Sequence, residues 1–195
     1  MPAREDHAQR RQQVAQVAAD LIATGGLAAA THRRIAEAAG TSTTVVSHYF
    51  TGRRDLVLAT YREVGRRVSD RLEAAAQEPD DRLTATLAAL LPLDAERVRD
   101  WRLLFTFLGL AATDAELTNE QRERAGSTRT RIETELRGEQ QAGRVPAHVD
   151  VTAASAHLLS IVLGTGTQAL FDPRAWPAAR MRTTLAAAVA EVRSG

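Results

Sequence analysis

Residues Thr31 to Leu56, THRRIAEAAGTSTTVVSHYFTGRRDL, are the stretch of sequence that decides the fold. Thr31 can cap a short helix that ends at Gly40, and Ser42 can cap a second short helix, Thr43–Tyr49. Two short helices joined by a tight turn form a helix-turn-helix, and glycine lets the chain turn sharply. The stretch therefore predicts a helix-turn-helix, while the spacing alone leaves DNA binding and a purely structural role both open.

The rest of the chain also predicts helices. Apolar residues recur at steps of three and four, and no segment shows the period of two that indicates a β-strand. We therefore expect an all-α protein without repeats or a flexible linker, whose module boundary falls inside the fourth helix. The nine predicted helices span about residues 6–24, 32–39, 43–49, 53–77, 80–91, 95–112, 114–142, 150–171 and 175–193.

Composition indicates a folded protein and argues against disulfide-bonded and membrane-spanning proteins. The chain has 195 residues, 44% of them hydrophobic, which is enough for a sizeable core. It contains no cysteine, which excludes disulfides and favours a reducing cytoplasm. We see no signal peptide and no run of about 18 uninterrupted apolar residues. The sequence therefore predicts a cytoplasmic protein that does not span a membrane.

The charge is unevenly distributed along the chain, although the net charge is only +1. Residues 1–71 contain 11 arginines against 7 acidic residues, whereas residues 72–195 contain 14 arginines against 17 acidic residues. A basic first third suits contact with a polyanion.

The second short helix has one apolar side and one polar side. Val45, Val46 and Phe50 can pack it onto the first helix of the chain. Hydroxyl, imidazole and phenol groups on the other side suit base edges and phosphates in a major groove. Arg33 and Arg53 can flank this groove on the phosphate backbone. The backbone amides at the start of the fourth helix can also bind a phosphate. The predicted exposed face consists of Thr43, Thr44, Ser47, His48 and Tyr49.

The order A-G-x-S-x-x-x-x-x-H-Y-F-x-x-[KR]-x-x-L at residues 39–56 resembles the signature of TetR-family regulators. Within it, the run from Ser42 to Phe50 is most similar to the BetI-like branch. The resemblance implies a TetR-like fold of nine helices. It implies a three-helix DNA-binding domain at residues 8–68 and a ligand-binding and dimerisation domain at residues 69–195. It also implies a repressor that a small-molecule effector releases from its operator. No cofactor is expected.

The resemblance assigns DNA contacts to individual positions. Arg53 stands where the family has a phosphate-binding lysine. Thr44 stands where glycine or another small residue is frequent, and Ser47 where most members have tyrosine. The expected contacts with double-stranded DNA are His32, Arg33, Thr43, Thr44, Val45, Ser47, His48, Tyr49 and Arg53.

The eighth predicted helix suggests a homodimer, because apolar residues cover almost its whole circumference. Gly164 and Gly166 would allow a partner helix to approach closely. By resemblance, the eighth and ninth helices form a four-helix bundle across a twofold axis, and two recognition helices read a pseudo-palindromic operator. The alternative is the core helix of a monomer. The expected interface residues are Leu159, Val162, Leu163, Gly166, Met181, Leu185 and Val189.

An aromatic cluster in the sixth helix suggests an effector pocket. Trp101, Phe105 and Phe107 are three of the six tryptophan and phenylalanine residues, and Leu108 and His157 complete the expected lining. Such a pocket suits an apolar or partly cationic molecule, whereas plain core packing is the alternative. The BetI-like branch is linked to choline, which we do not carry over. Asp100 and Asp114 are the available carboxylates, or they are solvated acids at helix ends.

Enzymatic function is not expected. The five histidines, at positions 7, 32, 48, 148 and 157, show no metal-binding spacing, and we expect neither catalytic nor metal-binding residues. The sequence contains no nucleophile elbow, P-loop or dinucleotide-binding motif. A helical interaction protein that has lost its DNA contacts remains the second alternative, and the side chains from Ser42 to Arg53 would distinguish the two.

Overall fold

The structure, a computed structural model, describes residues 2–78 and 80–195, which contain nine α-helices, one 3-10 turn and no strand. This confirms the all-α prediction and the number of helices. Pro79, which we expected to end the fourth helix, lies outside the described residues. The helices are α1 (Pro2–Gly25), α2 (His32–Ala38), α3 (Thr43–Tyr49), α4 (Arg53–Ala75), α5 (Arg82–Leu90), α6 (Ala95–Ala111), α7 (Ala115–Gln141), α8 (Val151–Phe171) and α9 (Ala178–Ser194).

The chain divides into two compact units. The N-terminal unit contains the residues up to Arg67 together with Arg102–Thr118, and the C-terminal unit contains Val68–Trp101 and Asn119–Gly195. All three division points fall inside helices, namely α4, α6 and α7. The N-terminal unit thus includes Arg102–Thr118, which the expected domain of residues 8–68 leaves out.

Local side-chain chemistry fixes the two short helices. The Oγ1 atom of Thr31 accepts a hydrogen bond from the Arg34 amide, and Oγ of Ser42 accepts one from the Val45 amide, both at 3.3 Å. These bonds satisfy amides that have no partner inside the helix. Gly40, between the helices, has a φ of +61°, which L side chains rarely adopt. The predicted caps and turn are therefore present.

The core of the N-terminal unit contains both small and large apolar residues. Ala18 and Ala19 on α1 are fully buried, as are Ile35 of α2 and Val46 and Phe50 around α3. A second cluster of this unit joins α4 to the parts of α6 and α7 that belong to it. Its buried members are Val57, Tyr61, Phe107, Ala111 and Leu117.

The core of the C-terminal unit is formed by α5, α7, α8 and α9. Leu83 and Leu87 of α5, Ile132 and Leu136 of α7, and Leu158 of α8 are all fully buried. By length and composition alone, α8 could cross a membrane. Its buried residues pack in the core of this unit, and the core helix of a folded domain meets the same criteria.

Candidate nucleic-acid interface

The polar side of α3 is exposed, with one exception. Thr43, Thr44, Ser47 and His48 are exposed, and Val45 is half-buried. Tyr49 is only 9% exposed, so its predicted place on the exposed face is wrong. Val46, Tyr49 and Phe50 lie three and four positions apart, on the inward face of the helix.

Tyr49 is covered by aromatic rings. The ring of His7, from α1, packs edge-on against Tyr49 with centroids 4.8 Å apart, and His48 does so at 5.6 Å. The Phe50 ring also packs edge-on against Tyr49, with centroids 6.4 Å apart. Because three rings contact the phenol ring, the main role of Tyr49 is to pack α3 against the rest of the N-terminal unit.

The start of α2 lies beside α3. Nδ1 of His32 and Oγ of Ser47 are 3.2 Å apart, within hydrogen-bonding distance, and His32 is half-buried. Arg33, the next residue, is exposed. The structure thus brings the predicted contacts at the start of α2 next to the exposed face of α3.

The first turn of α4 carries two adjacent arginines with different surroundings. Nε of Arg54 donates to Oδ2 of Asp114 at 2.6 Å, and Nη2 donates to Oε2 of Glu116 at 2.6 Å. These bonds raise the pKa of Arg54 further above its ordinary value. Arg53 is exposed. Of the two arginines, Arg54 is thus held in ion pairs within the N-terminal unit, whereas Arg53 faces solvent.

Most of the residues predicted for the dimer interface lie inside their own subunit. Val162, Met181, Leu185 and Val189 are at most 3% exposed and belong to the core of the C-terminal unit. Gly166 is also buried, and a Cβ atom there would collide with the indole ring of Trp101. For these five residues the prediction is wrong, because the neighbours that cover them belong to the same chain.

The opposite side of α8 and α9 remains uncovered. Leu163 and Phe171 are the exposed large hydrophobic residues of the described part of the chain, at 42% and 73%. Leu159 is half-buried. Small residues surround them, and the exposed ones are Ala153, Ala156, Ser160 and Gly164 on α8 and Ala179, Thr183, Ala186, Ala187 and Ala190 on α9. We refer to these exposed residues, together with Leu163 and Phe171, as the α8–α9 face.

The residues predicted to line an effector pocket are divided between the two units. Trp101 is 6% exposed, and its Nε1 atom donates to the Leu90 carbonyl oxygen at 3.0 Å. Phe107 is 1% exposed and stacks on Tyr61 with centroids 3.6 Å apart. Trp101 and Phe107 thus each pack within the core of their own unit. Phe105 and Leu108 are half-buried in the N-terminal unit, and His157 is exposed in the C-terminal unit.

The two carboxylates considered for a cationic effector are both paired. Oδ2 of Asp100 accepts from Nη2 of Arg71 at 2.8 Å, and Asp100 is 3% exposed. The Arg54 guanidinium and two backbone amides at the start of α7 lower the pKa of Asp114 to about 2. Asp114 therefore caps a helix, in agreement with its interpretation as an acid at a helix end and not as a ligand for a cationic effector.

A shallow groove lies in the N-terminal unit, and none of the predicted pocket residues lines it. Arg10, Gln13, Val14 and Val17 of α1 form one wall, and residues 39–41 at the turn after α2 form the other. The described residues contain no cluster of three or more histidine, aspartate or glutamate side chains that could hold a metal ion.

Two family models match the chain. Residues 15–60 match the model described as bacterial regulatory proteins, tetR family, and residues 79–194 match the model described as BetI-type transcriptional repressor, C-terminal. The second model alone covers more than half of the chain.

Curated relatives and solved structures agree with these models. The chain is 24% identical over 176 residues to the HTH-type transcriptional regulator PksA of Bacillus subtilis, covering 89% of this chain and 84% of that one. It is 36% identical over 91 residues to BetI 2 of Chromohalobacter salexigens, covering 46% and 44%.

Two solved structures share the fold over nearly the full chain. A transcriptional regulator from Rhodococcus superposes with a TM-score of 0.82 at 25% identity, covering 95% of this chain and 96% of that one. A regulator from Saccharomonospora viridis, solved in complex with choline, superposes with a TM-score of 0.84 at 21% identity, covering 94% and 96%.

Proposed function

Because the chain belongs to the TetR family of bacterial regulatory proteins, and is therefore a transcriptional regulator and not an enzyme, we propose that it is a dimeric repressor of the bacterial cytoplasm. It binds a pseudo-palindromic operator through residues 8–68 and is released by a small molecule that binds within residues 69–195. Release follows when the effector favours a conformer in which the two recognition helices no longer match the operator.

The observation that carries this proposal is the exposed face of α3. Thr43, Thr44, Ser47 and His48 present three hydroxyl groups and an imidazole, which can donate to and accept from base edges. The helix that presents them is capped by Ser42 and held in the core by Val46 and Phe50. Arg33 and Arg53 are exposed at the starts of α2 and α4, where they suit phosphate contacts.

A single α3 of seven residues is too short to specify an operator, so two copies are needed. Paired recognition helices read successive major grooves when they are about 34–36 Å apart. We propose that the α8–α9 face forms the twofold interface. Leu163 and Phe171 supply its large apolar groups, while alanines and Gly164 allow the helices of the partner to approach closely.

For the effector we propose a small molecule as a class and do not carry choline over. A quaternary ammonium group needs aromatic faces and an available carboxylate. Asp100 is already neutralised by Arg71, and Asp114 is paired with Arg54. The choline complex of the Saccharomonospora regulator supports a small-molecule effector as a class, while these pairings argue against carrying its ligand over to this chain.

Fluorescence anisotropy with DNA from upstream of the gene tests the proposal. We expect binding that survives unrelated competitor DNA, requires two subunits and weakens steeply as salt rises. Equal binding to all sequences at every salt concentration, here and in a genome-wide selection of bound fragments, would indicate that the helix-turn-helix has no operator. Small molecules that release the labelled DNA in the same assay then identify the effector.

A further inference from the structure

Two histidines that are distant in sequence meet at the surface of the N-terminal unit. Nε2 of His7, on α1, lies 3.4 Å from Nε2 of His48, on α3. The two ring planes are nearly perpendicular, at 87°, and the ring centroids are 5.6 Å apart. The two nitrogens therefore lie between the rings and face each other, and both residues are exposed.

We propose that His7 and His48 form a binding site for a divalent transition metal ion of the zinc class. Neutral imidazole nitrogens are ligands that Zn²⁺, Ni²⁺ and Cu²⁺ prefer. Zinc binds histidine nitrogen at about 2.0–2.1 Å, so two nitrogens of one tetrahedral ion are about 3.3 Å apart. The observed separation of 3.4 Å between the two Nε2 atoms is close to this value.

The side chains must turn out of their hydrogen-bonded arrangement to bind the ion. In the structure one imidazole donates to the other, which is the arrangement of a metal-free pair. Because both rings are exposed, rotation of each side chain can turn the two Nε2 atoms toward a common point on the solvent side. The Tyr49 ring packs against both imidazoles and limits their freedom, which reduces the entropy lost on binding.

Because both histidines are exposed, water can fill the remaining coordination positions of this ion. The bound ion joins the first helix of the chain to the recognition helix. It should therefore raise the thermal stability of the protein, because a ligand that binds the folded state stabilises it. This inference is independent of the proposed operator, since it concerns the free protein.

Calorimetric titration of untagged, full-length, metal-free protein with ZnCl₂ tests the site. We expect one ion per chain, with binding weakened at least about tenfold in His7→Ala and in His48→Ala, since even the loss of an outer-shell partner costs that much. His157→Ala is the matched control, because His157 is also exposed but lies in the C-terminal unit.

A second variant separates metal binding from packing. His7→Asn can still hydrogen-bond to His48 but does not replace an imidazole ligand, so it should lose the increase in melting temperature that ZnCl₂ produces, measured from its own metal-free value. The proposal is wrong if the wild-type protein shows no saturable site for one ion. It is equally wrong if His7→Ala or His48→Ala binds zinc as tightly as His157→Ala does.

Discussion

Arg54 and Asp114 form a two-point ion pair between α4 and the start of α7. Nε of Arg54 donates to Oδ2 at 2.6 Å, and Nη2 donates to Oδ1 at 3.0 Å. Asp114 also accepts the amides of Glu116 and Leu117 and so caps α7. The guanidinium group of Arg54 is thus bonded to carboxylates of its own chain, while the neighbouring Arg53 is exposed.

The two adjacent arginines should respond differently to substitution. Arg53→Ala should weaken binding to every DNA sequence and reduce the slope of log affinity against log salt by about one, because one phosphate contact is lost. Arg54→Ala should leave this slope unchanged, because its guanidinium is bound to Asp114 and Glu116. Anisotropy titrations across salt measure both variants, and a reduced slope in Arg54→Ala alone would reverse the assignment.

Acid should weaken the ion pair in a defined window. The pKa of Asp114 is lowered from 3.8 to about 2, so the stability it contributes is complete above about pH 4 and is lost as the pH falls toward about 2. Asp114→Asn should therefore melt below the wild-type protein at neutral pH, and the difference should shrink through this window. Thermal melts followed by circular dichroism measure it. A difference that stays constant down to pH 2 would show that the charge of Asp114 does not matter.

Side chains on the two faces of α3 should separate DNA affinity from stability. Thr43→Ala and Thr44→Ala remove exposed hydroxyl groups, so operator affinity should fall while the melting temperature stays the same. Tyr49→Ala removes a buried ring and should lower the free energy of unfolding by about 3–5 kcal/mol. Tyr49→Phe keeps the ring and is the control for the hydroxyl group. A large loss of operator affinity in Tyr49→Phe would return Tyr49 to the DNA interface.

Neighbouring residues of α8 should distinguish the dimer interface from the core. Leu163→Glu places a charge on the α8–α9 face and should yield a folded monomer. Val162→Glu places the same charge at a position that is 1% exposed and should unfold the subunit, because a buried charge without a partner is strongly unfavourable. Analytical ultracentrifugation gives the oligomeric state and circular dichroism gives the folding. A stable Leu163→Glu dimer would place the interface elsewhere.

Gly166 should be intolerant of a single methyl group. A Cβ there meets the Trp101 ring, so Gly166→Ala should lower stability by about 1–3 kcal/mol. Gly138→Ala is the matched control, because Gly138 also lies within a helix, outside the α8–α9 face, and a Cβ there meets nothing within 4 Å. Urea unfolding of both variants, compared under identical conditions and protein concentration, measures the difference. Equal stabilities would mean that Trp101 can move aside at little cost.

Local sequence signals were sufficient for the helix-turn-helix. Caps at Thr31 and Ser42 and a glycine with positive φ at Gly40 act over three or four residues, and the structure contains all of them. The position of Tyr49 was also available from the sequence. It lies three residues after Val46 and next to Phe50, so helical periodicity alone places it on the buried face.

The contacts that the sequence did not reveal join residues that are far apart along the chain. His7 and His48 are 41 residues apart, and Arg54 and Asp114 are 60 residues apart. The α8 residues expected at the dimer interface mixed exposed Leu163 with buried Val162 and Gly166, for another reason. Because apolar residues surround this helix on nearly every side, periodicity cannot say which stripe, that of Val162 or that of Leu163, faces the core of the same subunit.

The division of the chain within α4, α6 and α7 limits how far this protein is modular. Tyr61 of the DNA-binding half stacks on Phe107, and Leu117 is 1% exposed in the same cluster. A chimaera that joins residues 1–68 to a foreign sensor would leave Tyr61 and Val57 facing solvent unless the sensor supplied equivalents of Phe107 and Leu117. Residues 1–68 of this chain can therefore be joined to another sensor without loss of this packing only if that sensor supplies a partner for the Tyr61 ring.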